Sequence, residues 1–249
     1  GKLVAESGAA QRIATTLVAF FGEKRMAWAM ALTGFIVGIP LFYGVGFVLL
    51  VPIIFAMVGH YRLPLLIVAV PALASMSVAH GLLPPHPAPT ALVATFQADM
   101  GLTLLYGIAI AVPALVLAGP IFGRTLAGIS AKPLAGMEAK PLPESELPGT
   151  AVSILTALLP AVLLVATAAA GWLVPADSPA AAAMAFVADP DVVMVTALLV
   201  ATITLGLAHG RSLAAVMQTY TAAIGDVASM LLVIAGSGAL KEVLLQSGV

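Results

Sequence analysis

The chain has 249 residues, of which 61% are hydrophobic and 8% charged, and its mean hydropathy is +1.13. An ordinary soluble domain carries roughly 25% charged residues and disorder needs low hydrophobicity, so both classes are excluded and an integral membrane protein remains. The formal net charge of −1 gives a nucleic-acid partner no electrostatic support, and the absence of Cys removes disulfides and thiolate metal sites.

A spanning helix needs roughly 20 mostly apolar residues. Helix is the default, because backbone groups in lipid must be satisfied within the segment and nothing here alternates like a barrel strand. Residues 1–21 read as the tail of a helix. Residues 26–59 are apolar throughout, too long for one span and too short for two. Pro40 and the glycines at 34, 38, 44 and 46 divide this stretch, which predicts a broken or re-entrant segment. Spans are predicted over 63–82, 101–123, 150–174 and 191–208, with a further one over 227–245 interrupted by Gly236-Ser237-Gly238. The four prolines within 84–89 forbid a regular helix there, so 84–99 should not span.

The stretches 23–25, 60–62, 124–140 and 209–211 hold seven of the ten basic residues, and 175–190 holds none but carries Asp177 and Asp189. The positive-inside rule places the basic stretches in the cytoplasm and the acidic one outside. Residues 22–25 and 60–62 then share a side, which again makes 26–59 a hairpin. The expected organisation is a first-repeat membrane domain over 1–123, incomplete at its N-terminus. A cytoplasmic linker follows over 124–149, and the start of a truncated second-repeat domain over 150–249. The linker is marked by Lys132-Pro133, Lys140-Pro141-Leu142-Pro143 and Leu147-Pro148-Gly149. The chain opens on Gly1-Lys2-Leu3 rather than Met, and is expected to be an internal piece of a longer protein.

Leu3-Val4-Ala5-Glu6-Ser7-Gly8-Ala9 lines up with Val243-Leu244-Leu245-Gln246-Ser247-Gly248-Val249. Each copy is three apolar residues, a polar one, Ser-Gly and a small residue. Secondary transporters are commonly built from inverted repeats whose corresponding helices are broken near the midplane. With 26–59 counted as a hairpin, five spans separate the segments carrying the copies, which gives them opposite orientations.

The densest polar cluster runs from Ser75 through Ser77, His80, Gly81, Pro84, Pro85, His86, Pro87 and Pro89 to Thr90. Unwound backbone at membrane depth is tolerated only where it lines protein or a water-filled cavity. Here it exposes N–H and C=O groups to an anionic or polyhydroxy substrate, helped by the positive end of 91–98 if that is helical. Histidine is also suited to taking up a proton near neutral pH. The plainer reading is a Pro-rich interfacial loop with solvated histidines. A metal site is disfavoured, since no acidic residue lies close to His80 and His86. Glu6 is read as a site carboxylate or a helix-end acid, and Asp226 as a site group or an ordinary N-terminal helix acid. Asp99 reads as an interface or helix-start residue. Lys241 and Glu242 read as an exposed pair, Ser237 as a presented hydroxyl or small-residue packing, and Trp28 and Trp172 as interface anchors.

The run His80-Gly81-Leu82-Leu83-Pro84-Pro85-His86-Pro87-Ala88-Pro89-Thr90, with Leu3–Ala10, Gly46–Leu50, Ala98–Gly101, Ala118-Gly119-Pro120 and Gly236–Val249, resembles the gluconate permease (gluconate:H+ symporter) family. The resemblance implies an all-α polytopic membrane protein of the ion-transporter superfamily. This would be an inverted-repeat secondary transporter with broken helices and re-entrant hairpins, in the bacterial inner membrane. It implies proton-coupled uptake of gluconate or a related small sugar acid, with H+ as coupling ion and no cofactor or metal. Relatives carrying other small hydroxy or amino acids make D-serine and glycerate the alternatives. The expected substrate-binding residues are Ser7, Gly8, Ser77, His80, Gly81, His86, Thr90, Ser247 and Gly248. Those expected to couple protons are Glu6, His80, His86 and Asp226. The expected partners are a small carboxylate such as gluconate and the lipid bilayer; a homodimer is compatible with the sequence. One departure stands out, since the family usually has an acidic residue where this chain has Gly44. The competing class is an intramembrane enzyme with Ser77 as nucleophile and His80 or His86 as base. The chain has no Gly-x-Ser-x-Gly elbow and no His-Glu-x-x-His motif.

Overall fold

The computed structural model describes residues 1–131, 142–171, 173–175 and 177–248, with the side chains at 229 and 230 left aside. Lys132, Pro133, Lys140, Pro141, Trp172 and Val249 lie outside the described residues. The described residues form helices and no strand. Six segments are long and apolar enough to cross a membrane: Tyr43–Tyr61, Leu65–Phe96, Met100–Thr125, Thr150–Gly171, Pro190–His209 and Leu213–Ser247. The chain is therefore an all-α polytopic membrane protein.

The first helix is short. α1 (Lys2–Glu6) ends at Ser7, and Gly8 takes a left-handed φ of 81° before α2 (Ala9–Phe21) begins. Glycine reaches that conformation without the Cβ clash other residues meet. α3 (Met26–Gly38) has 13 residues, which at the helical rise is about 20 Å, less than the roughly 30 Å of bilayer core. The chain then breaks over 39–42, at Pro40, and α4 (Tyr43–Tyr61) follows.

Pro40 alone makes that break; the glycines expected to share the role do other work. Gly34 and Gly38 sit within α3, where a Cβ on Gly34 would lie 2.0 Å from the Ala72 carbonyl oxygen. They let α3 press its backbone onto α5 (Leu65–Leu82), the small-residue packing that membrane helices use in place of a hydrophobic drive.

α5 ends at Leu82 because the residue before a proline is pushed out of helical geometry. Leu83 is extended, and His86 (φ −64°, ψ 149°) caps α6 (Pro87–Phe96), with Pro87 preset for the first helical position. α6 has 10 residues, too few to span alone. Asp99 is the N-cap of α7 (Met100–Val116), its Oδ1 accepting from the Leu102 N–H at 2.7 Å. It is a helix-start residue, as one reading of the sequence has it. α7 passes through a π turn, Leu117–Ile121, into α8 (Phe122–Thr125).

In the second half, α9 (Thr150–Gly171) is followed by α10 (Ala180–Ala188), a short helix inside the acidic stretch over 175–190. Its Ala-rich sequence explains this, since alanine is the strongest helix former. α11 (Pro190–Ala201) leads through a π turn at Thr202–Gly206 to His209.

α12 (Leu213–Ser247) is one unbroken helix of 35 residues, against the expected interruption at Gly236-Ser237-Gly238. Each glycine costs about 1 kcal/mol relative to alanine, too little to end a long apolar helix. Ser237 bonds its hydroxyl back to the Val233 carbonyl at 2.8 Å within the helix. Asp226 is consequently not an N-terminal helix acid. It lies about 20 Å along α12 from Leu213.

The main apolar cluster joins Leu3, Ile13, Met30, Leu50, Ile54 and Met76 to Ala157 and Leu205, so it draws on both sides of the 124–149 stretch. Trp28 is half-buried in the first turn of α3. Phe20, Phe96, Tyr106 and Leu155 are exposed on the outside of the helices, as lipid-facing residues are.

Candidate substrate site at the helix breaks

The break at 39–42 and the one at 83–86 meet directly, and the start of α1 joins them. His86 Nε2 lies 2.9 Å from the Gly38 carbonyl oxygen, which ties the break after α5 to the end of α3. That carbonyl belongs to the last turn of a helix, where C=O groups have no partner within the helix. A carbonyl only accepts, so Nε2 carries the hydrogen, and in the neutral ring Nδ1 is left as an acceptor. A Cβ on Gly1 would lie 2.6 Å from the Pro40 oxygen, which places the start of α1 against the same break.

Polar atoms collect around this junction. The His80 and His86 rings are 4.4 Å apart between centroids, and Phe42 stands edge-on to His80 at 6.2 Å. His80 Nδ1, Ser75 Oγ and Thr90 Oγ1 are buried without a hydrogen-bond partner in the protein. A buried polar atom left unpaired costs about 1–3 kcal/mol, so His80 Nδ1, beside the junction, marks a place built for something other than stability, whereas Ser75 Oγ lies on the α5 face turned to Gly119.

Two cavities adjoin the junction. The larger, about 1170 Å³, runs from Phe42 and Lys2 past Glu6, Gly8 and Gly44 to His60, Tyr61 and Glu144. The smaller, about 210 Å³, reaches Pro40, Pro85 and His86. Both are lined by Lys2, Phe42, Val45, Asp226 and Val227, so these residues form the partition between them.

α1 faces α12 across this partition. Lys2 Nζ donates to Asp226 Oδ2 at 2.5 Å. One turn further, Glu6 Oε2 accepts from Thr219 Oγ1 at 2.5 Å and from Arg211 Nη2 at 3.4 Å. Lys2 and Glu6 are four apart on α1, and Thr219 and Asp226 seven apart on α12, so each pair shares a helix face. The order of the contacts makes the two helices antiparallel.

The expected site residues divide into two groups. Glu6, Gly8 and Asp226 line the larger cavity, and His86 and Asp226 line the smaller. Ser7 is buried beside Gly8, His80 lies against His86 with the rings tilted at 57°, and the Thr90 hydroxyl is buried. Ser77 and Gly81 are exposed and line neither cavity, because the helical turn carries them off the face that bears Ser75 and Ala79. Ser247 and Gly248 are exposed at the far end of α12, roughly 30 Å along the axis from Asp226. They are not brought to the site, because α12 continues straight through the expected break. Ser237, Lys241 and Glu242 are also exposed on that end, and Glu242 accepts from Gln246 Nε2 at 2.8 Å. The two Ser-Gly motifs nonetheless share a local geometry. Ser7 Oγ bonds the Val4 carbonyl and Gly8 has φ 81°; Ser247 Oγ bonds the Leu244 carbonyl and Gly248 has φ 76°.

Sequence reasoning passed over Lys2, Gln11, Arg12, Arg211 and Thr219. The four-residue spacing of Lys2 and Glu6 is the one signal it had. Arg12 donates from Nε to the Pro148 carbonyl and from Nη1 to Glu144, both at 2.9 Å. Gln11 exchanges hydrogen bonds with the Leu142 backbone N–H and C=O, and His209 Nε2 lies 2.9 Å from the Glu146 carbonyl. Residues 142–149 are thus strapped across α2 and His209, beyond the π turn that follows α11. Gly44 lines the larger cavity, and a Cβ there would meet nothing within 4 Å.

Spanning helices interrupted around a polar, cavity-lined junction define a class, the polytopic membrane proteins with unwound segments at the site. The family model of the GntP family permeases matches residues 1–249, and the chain belongs to that family. It is 47% identical over 250 residues to a high-affinity gluconate transporter of Escherichia coli, covering 100% of this chain and 57% of the relative. It is 43% identical to the Gnt-II system L-idonate transporter of the same organism, again covering 57% of that protein. A gluconate permease of Bacillus subtilis is 39% identical over 260 residues, with 58% of its length covered. The chain therefore spans somewhat over half the length of these relatives. No solved structure matches it.

Proposed function

We propose that the full-length protein is a secondary transporter that takes up gluconate or a closely related small sugar acid together with a proton, in the bacterial cytoplasmic membrane. The observation that carries this reading is the junction of the breaks at 39–42 and 83–86, held by His86 on Gly38 and opening into cavities lined by Lys2, Glu6 and Asp226. Such a junction offers hydrogen-bonding groups to a polyhydroxy carboxylate at a depth where free backbone is otherwise unaffordable. The named relatives transport gluconate or L-idonate, which supports a sugar acid over D-serine or glycerate.

Within this reading, His80, His86 and Thr90 present side chains to the substrate, and Ser7-Gly8 shapes the opposite wall. Glu6, His80, His86 and Asp226 are the groups available to take the proton. The matched geometry of the two Ser-Gly motifs, and the antiparallel run of α1 and α12, support two inverted repeats that rock against each other. An intramembrane enzyme needs Ser77 in a cavity beside a base, and Ser77 lines neither cavity.

The test is uptake of radiolabelled gluconate by proteoliposomes holding the full-length protein, with and without an inward proton gradient. Gradient-driven accumulation, abolished in His86→Ala, is the expected result. Uptake that ignores the gradient would remove the proton from the reading. Uptake of D-serine or glycerate in place of gluconate would change the substrate.

A further inference from the structure

We infer that Lys2 is the cation that binds the substrate carboxylate, and that Asp226 is the carboxylate the substrate displaces and the proton neutralises. This rests on the transporter reading above and supplies its coupling step.

The charges around the two cavities are accounted for pair by pair. Glu6 is held by Arg211 and Thr219, and Glu144 by Arg12. Asp226 is held by Lys2, which is the one Lys or Arg among the described residues lining either cavity. The Lys2–Asp226 pair lies on the partition between the cavities. Its side chains keep 20% and 45% of their exposure, so a solute in either cavity reaches both. The other titratable groups in these cavities are His86 from the break before α6, His60 and Tyr61 at the end of α4, and Glu6 and Glu144 with their own partners. α2 contributes Arg12, already committed to the 142–149 strap, and the facing stretches of α9 and the 202–206 turn carry no charged residue.

A monoanion entering a charge-balanced site on a membrane-spanning helix calls for a counter-charge, because an ionised group left unpaired within the bilayer is costly. The exchange that keeps the balance is simple. The substrate carboxylate takes the place of the Asp226 carboxylate on the Lys2 ammonium, and the released Asp226 oxygen takes one proton. One ion pair is broken, one is formed, and the net charge of the site is unchanged. On release the steps reverse, with the proton leaving Asp226 as it returns to Lys2.

Coupling follows from the two half-loaded states. Substrate without a proton leaves Asp226 ionised and unpaired. A proton without substrate leaves Lys2 unpaired. Both carry an uncompensated charge through the closed state of the cycle, whereas the empty and fully loaded states do not. Transport is therefore one proton per carboxylate and electroneutral for a monoanion.

The test uses the full-length protein in proteoliposomes, with radiolabelled gluconate as probe, read as accumulation under a proton gradient and as counterflow without one. Asp226→Asn is expected to lose accumulation at least tenfold while keeping counterflow, because Lys2 remains and no proton is needed. Asp226→Glu is expected to keep both. The double variant Lys2→Ala/Asp226→Asn preserves the charge balance, and so guards against misfolding from an unpaired charge. It is expected to lose counterflow as well. Gradient-driven accumulation surviving in Asp226→Asn, or counterflow surviving in the double variant, would overturn the inference. So would a wild-type flux that responds to membrane potential alone. Wild-type protein that does not carry gluconate at all would instead overturn the transporter reading.

Discussion

The His86 ring reaches across 48 positions of sequence to place Nε2 2.9 Å from the Gly38 carbonyl. One hydrogen bond thereby answers a helix-end acceptor that has no partner within its own helix, and it binds two helix breaks into one unit.

His86→Ala removes that donor and leaves the Gly38 oxygen buried and unpaired, at a cost of about 1–3 kcal/mol. His80→Ala removes no hydrogen bond, since His80 Nδ1 has no partner in the protein. In detergent-solubilised full-length protein, thermal unfolding is expected to fall clearly in the first variant and little in the second. Equal losses would mean that the Gly38 contact is not what holds the junction.

Gly34→Ala drives a methyl to within 2.0 Å of the Ala72 carbonyl oxygen, which is backbone and has nowhere to go. α3 and α5 must separate, and overpacking of this kind costs about 1–3 kcal/mol or more. Gly44→Ala meets nothing within 4 Å and improves helix propensity by up to about 1 kcal/mol. The melting temperature is expected to drop for Gly34→Ala and to hold or rise for Gly44→Ala.

Gly8→Ala puts a side chain at φ 81° and its Cβ 2.7 Å from Leu147. The backbone strain is worth roughly 1–2 kcal/mol, and the clash lifts the 142–149 strap. Gluconate uptake by the full-length protein is expected to fall, with Gly8→Asn retaining more activity than Gly8→Val because Asn tolerates the left-handed region.

Arg12→Ala takes away three of the hydrogen bonds that pin residues 142–149 to α2. Its contact with Glu144 is exposed and adds little by itself; the bonds to the Pro148 and Glu144 carbonyls order the strap. This stretch of chain has no cysteine of its own, so Leu147→Cys reports on a buried position by maleimide labelling. Labelling is expected to be several-fold faster with Arg12→Ala than without it. An unchanged rate would show that the strap is held by Gln11 and apolar contact alone.

Much of the architecture was legible in the chain. Composition dictates a membrane protein, because 61% apolar residues have no other place to hide from water. Pro40 and Pro84-Pro85 announce their breaks, since a proline deletes a donor and bars helical geometry at the residue before it. The Pro-rich run with His80 and His86 reads as a candidate site or as an interfacial loop, and the structure brings the two rings together. The Gly236-Ser237-Gly238 break was misread because glycine only weakens a helix, and length and neighbours decide whether the helix ends.

By itself, then, the sequence determined the class of protein and the two proline breaks, which depend on transfer from water and local covalent geometry, whereas Tyr43–Tyr61, read as part of a hairpin, is long enough to cross a membrane. Tertiary structure alone decided which polar groups meet. Lys2 and Asp226 are 224 positions apart, and Glu6 and Thr219 are 213 apart. No local pattern links such partners, since their pairing depends on how α1 and α12 pack. The same packing left Ser77 and Ser247 outside the site, because helix rotation and length carry them away from it.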